Sequence, residues 1–254
     1  MNAREKLAAW SWMSAGNWYR TAECMKKNLH PDIHVRVPYL TLLDDAYPAR
    51  LRELRWPPWV LYYRGDPALL QRHAVSIIGS RNASQYGMAM VQHIVGTIGR
   101  DTVYVSGLAK GIDSEVHRSA IGAGAYTIGV IGSGLDTVYP QSSADLYRVM
   151  GNDHLILSEY PPYVGVRKQH FPWRNRIIAA LGNQLIVVQA ALKSGTMHTV
   201  NEAIALSRDI YCVPYPFGSV EGKGCSLLIS QGAQILYDDE QLILLANSAA
   251  HTLS

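Results

Sequence analysis

The chain is poor in cysteine, with three in 254 residues: Cys24, Cys212 and Cys225. No two form a CxxC pair, which argues against a thiolate zinc site or a dithiol redox motif. Sparse, odd-numbered cysteines suit a reducing cytoplasm. No apolar run reaches membrane-spanning length and the N-terminus lacks a signal-peptide core, so a soluble cytoplasmic protein without membrane contact is expected. Net charge is only +3, so any affinity for anions must come from local clusters. Neither a GxGxxG fingerprint nor a GxxxxGK(S/T) loop occurs, which disfavours a conventional NAD or ATP site. No cofactor and no metal are expected.

The most informative absence is local. From Tyr160 to Asn201 there is no Asp or Glu, yet the stretch carries Arg167, Lys168, Arg174, Arg176 and Lys193. A one-signed field attracts polyanions, nucleic-acid backbone foremost. A plain basic surface would give the same composition.

What is present reads as one α/β domain with an appendage. Hydrophobic residues make up 48%, enough for a full core. Residues 1–36, with Trp10, Trp12 and Trp18, read as a short helical N-terminal segment, and residues 37–254 as the main domain. Pro38, Pro48, Pro57 and Pro58 break a connecting stretch before a short strand from Trp59 to Tyr63. Continuous apolar runs then recur at Ala74–Ile78, Thr102–Val105, Tyr126–Ile131, Leu155–Leu157, Gln184–Val188 and Ile210–Val213. Such runs suit strands covered on both faces. Helical stretches alternate with them, at Ser84–Ile98, Ile112–Ala123, Ser143–Met150, Phe171–Leu181 and Thr196–Ser207. Alternation of this kind predicts a mostly parallel sheet with right-handed crossovers. A last helix and strand, Cys225–Ser230 and Ala233–Leu236, precede an acidic turn at Asp238, Asp239 and Glu240.

Ligands of open parallel sheets bind beyond the carboxyl ends of the strands. Four of those ends share one composition: Gly79-Ser80-Arg81, Ser106 to Asp113 with Gly107 and Lys110, Gly132-Ser133-Gly134, and Lys193-Ser194-Gly195-Thr196. Glycine permits close approach, hydroxyls donate, and helix N-termini attract anions. One such loop does no more than make a turn; four on one edge, with three cations, point to phosphate. Asp113 suits a helix cap better than catalysis, and His117 fits a structural role as well as a ligand contact.

The segment Phe171-Pro172-Trp173-Arg174-Asn175-Arg176 is the most specific local feature. Pro172 suits a first helical turn. Arg174 and Arg176 are expected to face away from the core, and Asn175 can donate to a phosphate or a base edge. Phe171 fits the core better than the surface; Trp173 fits either. Aromatics beside cations are what single-stranded nucleic acid requires, because bases stack while phosphates are neutralised.

Together these motifs resemble the DNA-processing protein A family (DprA, also called Smf). The residues that carry the resemblance are GSR at 79–81, SGLAKGID at 106–113 with His117, GSGLD-x-x-YP at 132–140, LSEYPP at 157–162, HFPWRNRIIAAL at 170–181, SG at 194–195 and GC…LI…GA at 224–233. The upstream stretch YPARLRELRWPPWVLYYRGD at 47–66 also fits. The resemblance implies an extended Rossmann-like fold and a non-catalytic protein that binds and protects single-stranded DNA. It further implies loading of a RecA-type recombinase onto that DNA in transformation or recombination. A homodimer built near residues 224–236 is also implied. By motif, the DNA contacts would be Arg81, Lys110, Arg174, Asn175, Arg176 and Lys193, with Ser80, Gly107, Ser194 and Gly195 lining a phosphate pocket.

The sequence departs from the family pattern at Gln189-Ala190, where Glu-Ala is usual, at Thr196 to Val200, and at Ser226, where Asn is usual. The N-terminal part is short, and the chain as given leaves no room for a winged helix after the main domain. An alternative is a nucleotide phosphoribohydrolase of a related Rossmann group. Glu202 stands where such enzymes carry their catalytic Glu, but their Pro-Gly-Gly is missing.

Overall fold

The computed structural model describes residues 1–247. Two short helices open it, α1 (Ala3–Met13) and α2 (Trp18–Lys26), followed by β1 (Tyr39–Thr41), α3 (Ala49–Arg52) and β2 (Val60–Gly65). The regular alternation then runs β3 (Ala74–Gly79), α4 (Gln85–Ile98), β4 (Val103–Gly107), α5 (Ile112–Gly122), β5 (Thr127–Ile131), α6 (Ala144–Asp153) and β6 (Leu155–Ser158). It continues through α7 (His170–Leu181), β7 (Gln184–Gln189), α8 (Thr196–Ala205), β8 (Asp209–Cys212), α9 (Lys223–Ser230), β9 (Gln234–Ile235) and α10 (Asp239–Asn247).

All nine described strands form one sheet in the order β1-β2-β6-β5-β4-β3-β7-β8-β9. The strands from β6 to β9 are parallel; β2 joins β6, and β1 joins β2, antiparallel. This is the mostly parallel, extended Rossmann-like α/β fold that the alternation and the resemblance called for. Successive side chains on a strand point to opposite faces, so each central strand feeds two cores. Val103 and Val105 pack with Ile177, Ile178 and Leu181 of α7 on one face. Tyr104 packs with Val91 and Ile94 of α4 and Val116 of α5 on the other. Continuous apolar runs are the sequence mark of that double coverage.

The N-terminal helices are docked. Asn2 and Glu5 form a reciprocal capping box that starts α1. Leu7 and Trp10 then bury against Val60, Tyr62 and Met150. The expected acidic turn near Asp238 is instead the start of α10. Asp238 accepts from the Gln241 amide at 3.0 Å, and Asp239 and Glu240 occupy the first turn, where the positive end of the helix dipole favours them.

His117 is fully buried on α5. Its Nδ1 lies 2.7 Å from Thr127 Oγ1 and its Nε2 2.6 Å from the Gly107 carbonyl oxygen. Burial pushes its pKa down to about 4. The unfolded chain therefore binds a proton near pH 6.5 that the folded chain refuses until about pH 4. Stability contributed by the neutral ring is complete above pH 6.5 and is lost as pH falls through that window. Urea midpoints of the parent protein should drop between pH 7 and pH 5, and His117→Gln should flatten the drop. An equally steep drop in the variant would assign it to other groups.

Candidate nucleic-acid interface

Because β5, β4, β3 and β7 are adjacent and parallel, the four loops singled out by composition leave the sheet along one edge. The loops after β3 and β4 are joined. Gly111 takes φ +77°, a conformation that glycine adopts without penalty, and a Cβ there would lie 2.3 Å from the Ser80 carbonyl oxygen. The next amide, of Ile112, donates to that same oxygen at 3.1 Å. Ser80 Oγ closes its own turn, donating to the Asn82 carbonyl at 3.0 Å and accepting from the Asn82 amide at 3.1 Å.

The loops after β3, β4 and β5, with the N-terminal turn of α7, surround a pocket of about 220 Å³. Arg81, Lys110 and Arg174 bring positive charge to its wall, and Phe171 and Tyr139 bring flat rings. The two rings lie 5.6 Å apart, and the Arg81 guanidinium sits 5.4 Å above the Phe171 ring. Arg81 and Lys110 are exposed, and neither has an acidic partner among the described residues.

Arg174, expected to face away from the core, is instead buried. It is only 5% exposed, its Nη1 donates to the Val130 carbonyl, and its Nε donates to Asn175 Oδ1 at 3.2 Å. Asp113 converges on the same spot: a Cβ on Gly107 would lie 2.4 Å from Asp113 Oδ2 and 2.6 Å from Arg174 Nη1. Gly107 is thus needed for lack of bulk. Burial pushes the Asp113 carboxyl up and the Arg174 guanidinium down, and the charge of each opposes the push on the other. The expected helix-cap role of Asp113 is not seen, because Gly111 precedes α5 without a side-chain cap.

Arg176 corrects the expectation that it faces outward. It is 2% exposed and grips Glu159 with both terminal nitrogens, at 2.9 and 2.6 Å. Two further donors go to the carbonyls of Trp56 at 3.0 Å and Trp173 at 2.8 Å. Glu159 stands one residue before the acid-free stretch, so a count that began at Tyr160 missed the counter-charge. Trp173 covers this pair, with the Arg176 guanidinium 4.2 Å from its ring, and packs 5.7 Å from Trp56. Its ring is committed to the fold. Phe171, expected in the core, is half-buried and lines the pocket. The available signal was its position three residues before Arg174, on the same helix face.

Lys193, Ser194 and Gly195 follow β7 and do not line the pocket, but they adjoin it. Asn175 Nδ2 donates to the Gly195 carbonyl at 3.4 Å, which ties the arginine turn to this loop. Lys193 is exposed. Gln189 is a further positioning residue that sequence reasoning treated only as a departure. Its Oε1 accepts from Ser84 N and Oγ at 2.9 and 3.0 Å while its Nε2 donates to Asn82 O at 3.2 Å. A glutamate could accept those bonds but, when ionised, could not donate the last one.

Among the described residues no group of three His, Cys, Asp or Glu side chains could hold a metal ion, and no helix is long and apolar enough to cross a membrane.

Comparison with known proteins places this geometry in context. The family model described as DNA recombination-mediator protein A matches residues 38–247. The DNA processing protein DprA of Streptococcus pneumoniae is 39% identical over 208 residues, covering 82% of this chain and 74% of that protein. The X-ray structure of DprA from the same organism superposes with a TM-score of 0.80 at 37% identity, over 89% of this chain and 79% of that one. A Helicobacter pylori DNA processing protein A structure, described for its single-stranded DNA binding mode, gives a TM-score of 0.74 at 30% identity, over 82% and 95% of the two chains.

Proposed function

Since the chain belongs to the DNA recombination-mediator protein A family, we propose that its carboxyl-edge pocket binds the backbone and bases of single-stranded DNA. One observation carries the reading: Arg81, Lys110 and Arg174, from three separate segments, converge on a pocket walled by Phe171 and Tyr139. Cations take the phosphates and rings take a base, the division of labour used on unpaired strands. The neighbouring Asn175, Lys193, Ser194 and Gly195 extend the contact surface, with Ser80 and Gly107 shaping the turns beneath it. Arg176 is left out, because it is buried and four of its five donors are spent on Glu159 and two carbonyls. The single-stranded DNA binding mode described for the Helicobacter pylori relative supports the same reading.

The protein acts as a binder, not an enzyme, on this proposal. Asp113 is engaged beside Arg174, and His117 is sealed between Gly107 and Thr127. Glu202 of the hydrolase alternative is the seventh residue of α8 and does not line the pocket, and no observation favours that alternative. Protection of the strand, loading of a RecA-type recombinase and homodimer formation near residues 224–236 complete the proposal.

Fluorescence anisotropy with labelled single-stranded and duplex oligonucleotides tests it. Single strands should bind in preference to duplex, and Arg81→Ala or Lys110→Ala should each weaken binding about tenfold, the worth of one charged hydrogen bond. The loss should be alike for all base sequences, because phosphate contacts carry no sequence information. Equal affinity for duplex, or variants that bind as well as the parent, would overturn the proposal.

A further inference from the structure

The chain contains two phenylalanines, Phe171 and Phe217, and both lie in segments on the carboxyl edge of the sheet. Phe171 lines the pocket. Phe217 is in the loop between β8 and α9, and its relative exposure of 109% means that nothing covers the ring. A single exposed apolar side chain is ordinary, so the ring matters here for its setting and for the open face that it offers. Its position is built, not frayed. Pro216 to Ser219 form a turn closed by the Ser219 amide on the Pro216 carbonyl at 3.0 Å, with Gly218 at φ +81°. That turn type needs positive φ at its third residue and places Phe217 at the apex. The loop's base is anchored as Tyr86 Oη donates to the Pro214 carbonyl at 3.2 Å and the Tyr86 and Tyr215 rings meet at 5.0 Å.

The surroundings say what the occupant is. The loop after β7 and the start of α9 touch, with the Gly224 amide donating to the Ala190 carbonyl at 2.7 Å. Lys193 follows Ala190 by three residues and Lys223 precedes Gly224 by one, and both are exposed. Glu221 is the acid of the loop, and the Ser219 hydroxyl donates to its carboxylate at 3.1 Å. From β4 to β8 the edge crosses three strand spacings, about 14 Å, which about four nucleotides span at the duplex rise of about 3.4 Å each. An exposed lysine at the end of the Phe217 loop, another in the loop of the neighbouring strand and a bare ring on the same sheet edge as the cationic pocket are the components of a single-strand track.

We infer that Phe217 is a second stacking position on the path of the same strand: the strand leaves the pocket, passes Lys193 and lays a base on the Phe217 ring. The inference rests on the single-strand reading of the pocket and extends it across two more strands of the sheet. Anisotropy with thymidine oligonucleotides from about two residues, too short to reach from the pocket to Phe217, to about twenty tests it, a range that brackets common single-strand site sizes. The shortest should bind Phe217→Ala and the parent alike. Longer ones should bind the parent about five- to a hundredfold more tightly than Phe217→Ala, the range of one stacked base, with Phe217→Trp restoring the difference. Equal binding of Phe217→Ala and parent at every length would overturn the inference and leave the pocket reading intact. A loss at every length together with a lower mass by light scattering would overturn it too, and would assign the ring to contact between copies of the chain. A parent that bound no single strand would sink both readings.

Discussion

Arg176→Ala should cost the fold about 3–5 kcal/mol, the usual penalty for stranding one member of a buried ion pair. Arg176 and Glu159 are 2% and 3% exposed, and the alanine would leave the carboxylate with no cation and no route to water. The carbonyls of Trp56 and Trp173 would lose donors as well. Urea denaturation should show a lower midpoint with an unchanged slope. Joint replacement by apolar residues, Arg176→Met with Glu159→Leu, should recover part of the loss, because no charge is then left buried. Single-strand affinity of the folded Arg176→Ala protein should stay close to the parent's. A variant that kept its stability but lost DNA would put Arg176 in the interface and reverse the structural assignment.

The second large effect is on binding. Each phosphate neutralised on a single strand adds about −0.7 to the slope of log K against log salt, so contacts by Arg81, Lys110, Arg174 and Lys193 together give about −2.8. Raising salt from about 50 to about 200 mM should then weaken binding roughly fiftyfold. Lys193→Ala should reduce the slope by about 0.7 and leave the stability alone, since its side chain is exposed and outside the core. Titration by anisotropy at several salt concentrations reads both numbers. A flat salt dependence would mean that stacking on Phe171 and Tyr139 dominates.

The two effects mark where sequence reading reaches and where it stops. Strands were legible because double coverage leaves a continuous apolar run, as at Gln184–Val188, and because glycine and a hydroxyl repeat where four of them end. The exposure of Arg81 and Lys110 was legible as well: a cation in a glycine-bearing turn has little to pack against. Arg176 was not. Its burial depends on Glu159, brought to it from β6 by the tertiary fold, and no local pattern reports a partner outside the segment. Asp113 misled in the same way, since a carboxylate in a first helical turn reads as a cap until Arg174 arrives from another helix. Phe171 was misplaced, and Trp173 left open, because helix phase at an N-terminus depends on where the first turn begins, and proline at position 172 allows more than one start.

The hydrogen bond from Ile112 to Ser80, with Gly111 pressed against the same carbonyl, has a kinetic consequence. The two turns that carry Arg81 and Lys110 are latched to each other, so neither can swing aside or need be recruited when a strand arrives. Association should therefore be a single concentration-dependent phase, speeded by electrostatic steering and with no slow isomerisation behind it.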